Sequence, residues 1–411
     1  MAHHGYIDSL IFYIERNPLI IVFIALGTWL FGYWNRNPTL DPNSPENTPH
    51  KANNGYPPIE PLPAFDWEAT EPLSFRPFKP KYHLTMGLRQ LDPSDLLQID
   101  RTYKDRLALR AQLLNKHPDT VVGVNGDSEQ VQAAIYELYE FVLGVYLPTR
   151  YPTMFQLTTT DDTNSDQKAQ TVLESKVTGK HIPIKLAPHS PETSRKALET
   201  LGTWVDEDFI ILLPEKTTPS DNTDSEDGVD EKYVLHAYTV HFPAGFDLSK
   251  KLGRRLAEIH TPVPGYAEKL EKSMDRFFAR LEVGKFVQRV NWSVTLDTPL
   301  FAAFGRTHGR KNAGEDEREK VADEEIKVGE LDVDTTLLRC ERQTLHRLPH
   351  TKALVFAIHT YTYPLQTIKD EGLGEEMATA VDGLKEGSAP QIHWYKRGPV
   401  WGTAAKAFLR S

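Results

Sequence analysis

His260 is the side chain in this 411-residue sequence whose neighbours best suit chemistry. It follows Leu252 to Ile259, which reads as an amphipathic helix, and precedes Thr261-Pro262-Val263-Pro264-Gly265. Each proline fixes its own φ, so the chain is stiff directly after the imidazole. A stiff segment suits a histidine that must hold a metal at a set angle; a helix-capping or core histidine is the competing reading. Arg342 and Arg347 stand five positions apart around an expected strand end. Their planar guanidinium groups suit bidentate pairing with carboxylates, while an ion pair with Glu341 or simple solvation accounts for them as well. Asn291 and Trp292 are candidates to line a pocket, with the Trp292 ring either a face for a cationic amine or plain core. Cys340 lacks the glycine-bearing loop of a thiolate ligand and reads as a buried strand residue.

Other groupings carry no site. His236 and His241 differ by five positions in one expected strand, so they point to opposite faces and cannot share a metal. His346 and His350 have helical spacing, but Pro349 breaks the helix that spacing requires. No phosphate loop, dinucleotide fingerprint, nucleophile elbow, H-E-x-x-H or C-x-x-C pattern occurs. A single cysteine precludes an intramolecular disulfide and a thiolate-held cluster, and it fits a reducing compartment. Any metal must be held by histidine, by oxygen ligands or by a prosthetic group. The 57 acidic residues against 47 basic ones give a net charge of -10 and a pI near 5.9. That balance supplies no field for phosphate backbones, and no nucleic-acid partner is expected.

The elements that must position these residues follow from patterning. Asp92-Pro93-Ser94-Asp95 starts a helix ahead of Leu96, Leu97 and Ile99. Val131 to Tyr146 is a second helix, expected to end before Pro148. Asp208 to Leu213 and Tyr233 to Phe242 are strands rich in β-branched and aromatic residues, stopped by Pro214 and Pro243. From about Ala267 to Leu281, Leu270, Met274, Phe277, Phe278 and Leu281 form an apolar helix face. Leu337 to Leu345 and Ala353 to Tyr363 are strands joined by a turn at Leu348-Pro349-His350. Thr217 to Lys232 and Gly305 to Lys327 are charged insertions in solvent. This order predicts an α+β fold with a mainly antiparallel sheet and flanking helices. At the N-terminus, Leu19 to Trp34 runs 16 residues without a charge. It covers about 24 Å against a roughly 30 Å hydrocarbon core, with Pro18 at its start and arginines and aromatics at its flanks. The expected organisation is a single-pass transmembrane anchor over 1–36, a proline-rich linker over 37–74, and one domain over 75–411 on the cytosolic side of a membrane.

Four segments carry a family likeness: Leu256-Ala257-Glu258-Ile259-His260-Thr261-Pro262-Val263-Pro264-Gly265, Met274-Asp275-Arg276-Phe277-Phe278, Arg289-Val290-Asn291-Trp292-Ser293, and Arg339-Cys340-Glu341-Arg342-Gln343-Thr344-Leu345 with Arg347-Leu348-Pro349. In this order and spacing the chain resembles the haem-dependent oxidative N-demethylase alpha-subunit-like family, over roughly Phe75 to Gly402. Met86-Gly87-Leu88-Arg89 and Phe242-Pro243-Ala244-Gly245-Phe246 add to the likeness. The resemblance implies a PAS-like haem-binding domain and oxidative removal of an N-methyl group from a small secondary amine, using dioxygen. It makes His260 the axial ligand of a haem b, with Arg342, Arg347 and Asn291 as further cofactor-binding residues. The chain offers neither the cysteines for an iron–sulfur cluster nor a dinucleotide site, so a separate reductase must supply the electrons. A membrane would hold the two proteins together. The alternative reading is a haem- or ligand-binding sensor or scaffold without catalysis.

Overall fold

Runs of β-branched and aromatic residues set the longest strands of the computed structural model, which describes residues 55–160, 169–187, 189–215, 231–296, 299–303 and 324–411. In chain order the strands are β1 (Arg89–Gln90), β2 (Val122–Val124), β3 (Phe155–Thr160), β4 (Gln170–Ser175), β5 (His181–Pro183), β6 (Asp208–Pro214), β7 (Tyr233–Thr239), β8 (Phe286–Thr295), β9 (Leu337–Arg347) and β10 (Leu354–Pro364). Seven of them form one sheet in the order β1-β8-β9-β10-β6-β7-β2, each neighbouring pair antiparallel, and β3-β4-β5 form a second antiparallel sheet. The main helices are α1 (Tyr103–Lys116), α2 (Glu129–Tyr139), α3 (Pro191–Trp204), α4 (Leu256–Ile259), α5 (Glu271–Arg280), α6 (Leu365–Asp370), α7 (Gly374–Gly383) and α8 (Gly398–Arg410). The molecule is therefore α+β with antiparallel sheets.

Several boundaries differ from expectation, each for a local reason. After α2 the chain continues through a π-helical stretch, Glu140–Tyr146, into a last turn, Leu147–Arg150. Pro148 falls at the start of that turn, where its missing N–H leaves no bond unmade, so it does not stop the helix. The expected strand through Phe242 ends at Thr239, because Asp208 takes the next amides: its carboxylate accepts from His241 N at 2.8 Å and Phe242 N at 3.0 Å. The helix expected over Leu252 to Ile259 is only α4, since Gly253 adopts a left-handed φ of 76° that separates it from a 3-10 turn at Leu248–Lys251. α3, missing from the sequence reading, begins with a capping box in which Ser190 and Thr193 satisfy each other's backbone amides.

The architecture above belongs to the unit Ala52–Ser411. The expected anchor at Leu19 to Trp34 lies outside the described residues. No helix among the described residues is long and apolar enough to cross a membrane; the 14 residues of α1 reach only about 21 Å and carry charges throughout. The transmembrane part of the expected fold class and the single-pass membrane localisation are corrected accordingly. The linker expectation also changes at its C-terminal end. Tyr56 stacks on Phe141 with ring centroids 3.7 Å apart, Ile59 is buried, and Leu62 N donates to Arg150 O at 2.8 Å, so packed structure starts well before Phe75. Most of the two charged insertions lies outside the described residues.

The sheet presents two unlike faces in its centre. Cross-strand partners share a face, and the β8–β9–β10 register puts Arg289, Asn291, Glu341, Gln343, Phe356 and Ile358 on one side. Cys340, Arg342, Thr344, His346, Ala357 and His359 lie on the other. All of the second set are buried, whereas all of the first are only partly so. We take the first, partly accessible face as the floor of a candidate cleft.

Candidate functional site

The cleft's wall is the segment from Leu248 to Leu281, whose Leu252, Leu256, Ile259, Met274 and Phe277 pack with Val287, Leu345, Phe356 and Ile358 of the sheet. His260 sits at the C-terminal end of α4. Its Nδ1 donates to Leu256 O at 2.8 Å, which fixes the tautomer and leaves the Nε2 lone pair free; Nε2 makes no hydrogen bond among the described residues. The ring stacks on Tyr266, centroids 4.7 Å apart and planes within 11°, and remains partly accessible. Val263 N donates to His260 O at 2.8 Å, and Gly265 adopts φ 76° to hand the chain on to the helical turn Tyr266–Lys269. The two prolines therefore sit in consecutive tight turns that hold the imidazole from behind. Burial lowers the His260 pKa to about 4, with the charges of Lys251 and Arg289 acting in the same direction against the Leu256 bond. At neutral pH the side chain is an uncharged, oriented nitrogen donor.

The cleft's polar floor surrounds Arg289, which faces Gln343 across the β8–β9 pair. Glu341 is tied by Gln343 Nε2 at 3.1 Å and Arg339 Nε at 3.4 Å. Along the free edge of β8, the buried ammonium of Lys396 donates to Trp292 O and, at 3.3 Å, to Asn291 Oδ1. It also lies 5.1 Å from the Trp292 ring centre and 5.8 Å from that of Tyr82. Burial lowers the Lys396 pKa to about 8 and that of Lys251, over the Phe246 ring at 4.0 Å, to about 8. The cleft thus combines a free imidazole nitrogen with a positive floor and one engaged carboxylate.

The model of the family described as haem-dependent oxidative N-demethylase, alpha subunit-like, matches residues 87–406 of the chain. The chain belongs to that family. The match spans every strand from Arg89 onward, together with His260, Arg289 and Glu341. The haem dependence in the family's description asks for a place for an iron porphyrin. Among the described residues no group of three or more His, Cys, Asp or Glu side chains could hold a bare ion. His260 offers one well-oriented nitrogen to a metal that arrives with its remaining ligands.

The structure brings only some of the sequence candidates together. His260 and Asn291 both border the cleft. Arg342 lies on the closed face, where its guanidinium donates to Leu96 O at 3.0 Å and Asp95 O at 2.5 Å. Arg347 shares the cleft's side of the sheet but sits at its far end, donating to Leu281 O at 2.6 Å, Lys352 O at 2.7 Å, Tyr233 Oη at 3.0 Å and Phe278 O. Arg342 spends its donors on backbone, and Arg347 on backbone and the Tyr233 hydroxyl. Cys340 is buried, and burial pushes its thiol up to about 12. Trp292 packs edge-on against Phe78 in the core. His236 and His241 do not meet: the first contacts Asn125 at 3.4 Å, and the second is buried 3.9 Å from Asp208. Arg289, Glu341, Gln343, Lys251 and Lys396 escaped the sequence reading. For Arg289 the signal was available, since it precedes Asn291 by two positions in a strand and so shares its face.

Proposed function

We propose that the chain binds haem b through His260 Nε2 and acts as an oxidative N-demethylase of small secondary amines, with electrons supplied by a separate reductase. The observation that carries the reading is the fixed tautomer of His260, whose Nδ1–H is held by Leu256 O while Nε2 makes no hydrogen bond among the described residues. When bound, haem would supply the dioxygen-activating redox chemistry that oxidises the N-methyl carbon and releases it as formaldehyde. The protein's own residues hold and orient. The Leu256 carbonyl raises the imidazole's basicity, and the two-proline loop fixes its plane. Glu341, on the same sheet face, is the negative charge that a secondary ammonium group would meet. The lone, buried Cys340 cannot ligate an iron–sulfur cluster, which supports an outside electron source.

The test is reconstitution of the full chain with haem, followed spectroscopically, and formaldehyde release from a small secondary methylamine with a supplied electron donor. A Soret band that shifts on binding, is lost in His260→Ala, and accompanies formaldehyde production is the expected result. An unchanged band in His260→Ala rejects the ligand assignment. Haem binding with no formaldehyde from any small methylamine assigns the cleft to a non-catalytic haem-binding module.

A further inference from the structure

We infer that Arg289 is the anion-binding group of the cleft and takes a propionate carboxylate of the porphyrin that His260 ligates. The inference rests on the haem reading above and extends it to a residue that reading does not need. It starts from a contrast among the guanidinium groups. Arg76, Arg110, Arg150, Arg339, Arg342 and Arg347 each donate to a carboxylate or a backbone carbonyl. Arg289 is partly buried in mid-strand, yet its guanidinium makes no hydrogen bond or ion pair among the described residues. Burial disfavours its charge, lowering its pKa, with Tyr82 and Glu341 partly offsetting the effect. A partly buried cation without an internal partner is costly unless water or a ligand meets it.

The surroundings state what kind of ligand fits. Glu341 lies close enough to feel the Arg289 charge but gives its two carboxylate oxygens to Gln343 and Arg339. Lys251 lies on the same wall as His260, and Lys396 stands at the edge of β8. Arg289 and Lys396 disfavour each other's charge, so an anionic ligand group is favoured beside Arg289. The planar, five-donor fork matches a carboxylate bidentately. His260 is within electrostatic reach of Arg289, so a single ligand can meet an imidazole nitrogen with a metal and a guanidinium with a carboxylate. Porphyrin propionates carry that combination.

The experiment titrates the full chain with haemin and, in parallel, with its dimethyl ester, which has the same iron and ring but no carboxylates. Wild type, Arg289→Ala, Arg289→Lys and His260→Ala are compared by Soret absorbance. A lost charge-assisted hydrogen bond predicts haemin binding weaker by roughly tenfold to a hundredfold in Arg289→Ala, with partial recovery in Arg289→Lys. Wild type should lose a similar factor on changing to the ester, and Arg289→Ala should lose nothing further, because the two changes remove the same contact. Equal haemin affinity in wild type and Arg289→Ala overturns the assignment, as does an equal loss for haemin and ester. A band abolished in His260→Ala yet indifferent to Arg289 sinks only this inference. A wild-type chain that binds neither porphyrin sinks the haem reading with it.

Discussion

The two faces of the central sheet use the same residue types in opposite ways. On the closed face, Arg342 gives its donors to Leu96 and Asp95, and His359 is held between Glu207 Oε2 at 3.0 Å and Asp206 Oδ2 at 3.4 Å. On the open face and in the segment beside it, Arg289 has no hydrogen-bond partner and His260 has none at Nε2 among the described residues. Arg342 and His359 are satisfied within the closed face and contribute to folding, and the unpaired atoms there, on Thr344 and His346, are enclosed; Arg289 and His260 stay partly accessible. Burial and charge alone therefore do not mark a site. What marks it is an accessible donor or lone pair that the fold orients without using.

The comparison breaks first, and with the largest effect, at Arg342. Arg342→Ala leaves the buried Leu96 O without its donor, takes one of two donors from Asp95 O, which Gln98 Nε2 also meets at 3.0 Å, and removes a positive charge that favours ionised Glu207. Loss of one member of a buried charged network predicts a destabilisation of about 3 to 5 kcal/mol. Chemical denaturation of the apo chain measures it. A loss below about 1 kcal/mol would show that Arg342 is not part of the folding machinery and would erase the distinction between the faces.

How far the sequence exposes this division depends on which physical rule operates. Ala353 to Tyr363 was legible because its β-branched and aromatic residues leave no competing reading; the structure shifts that strand by one residue and extends the one expected over Leu337 to Leu345 by two. His260 stood out because prolines act locally. Which arginine faces the cleft was not legible, since β alternation divides neighbouring residues but does not say which set faces helices and which a cleft. Arg342 sits one position from Glu341 and Gln343, so the sequence reading came within a residue of the open face and landed on the closed one. The C-terminal helices α7 and α8 were missed for a different reason: their alanine- and glycine-rich faces bury small side chains whose pattern is weak in a polar background.

A pH measurement sharpens the comparison with a smaller effect. His346 on the closed face is fully enclosed, stacks on Phe286 at 4.7 Å, and has no hydrogen bond at either ring nitrogen. Burial lowers its pKa to about 3. The folded-state value lies below that of the unfolded chain, so the stability tied to neutral His346 is fully present above pH 6.5. It is lost as pH falls from 6.5 towards 3, because the unfolded state takes up the proton first. His346→Phe removes that dependence, and the variant should gain on wild type by up to about 1.4 kcal/mol per pH unit between pH 6 and 4. His359, whose pKa is raised chiefly by Asp206 and Glu207 against its own burial, has the opposite sign but is common to both proteins, so it cancels in the difference. Parallel stability curves for the two proteins would show that His346 is charged or hydrated in the fold.

The smallest expected effect is the most discriminating. Arg289→Ala in the apo chain should change folding stability by no more than about 0.5 kcal/mol, the range of substitutions that break no internal contact. Arg289 and Arg342 lie on neighbouring strands of one sheet, and cross-strand pairing sets Arg289 opposite Gln343, the residue that follows Arg342. Their difference in cost therefore reflects partners rather than position. Removing Arg289 also withdraws a cation that disfavours the charge of Lys396, a repulsion whose relief acts in the stabilising direction. A destabilisation approaching that of Arg342→Ala would mean that Arg289 supports the fold directly, and the open face would then be a second structural surface rather than a binding floor. A neutral or slightly stabilising result, together with weaker haemin binding, would place the Arg289 contribution in the ligand complex alone.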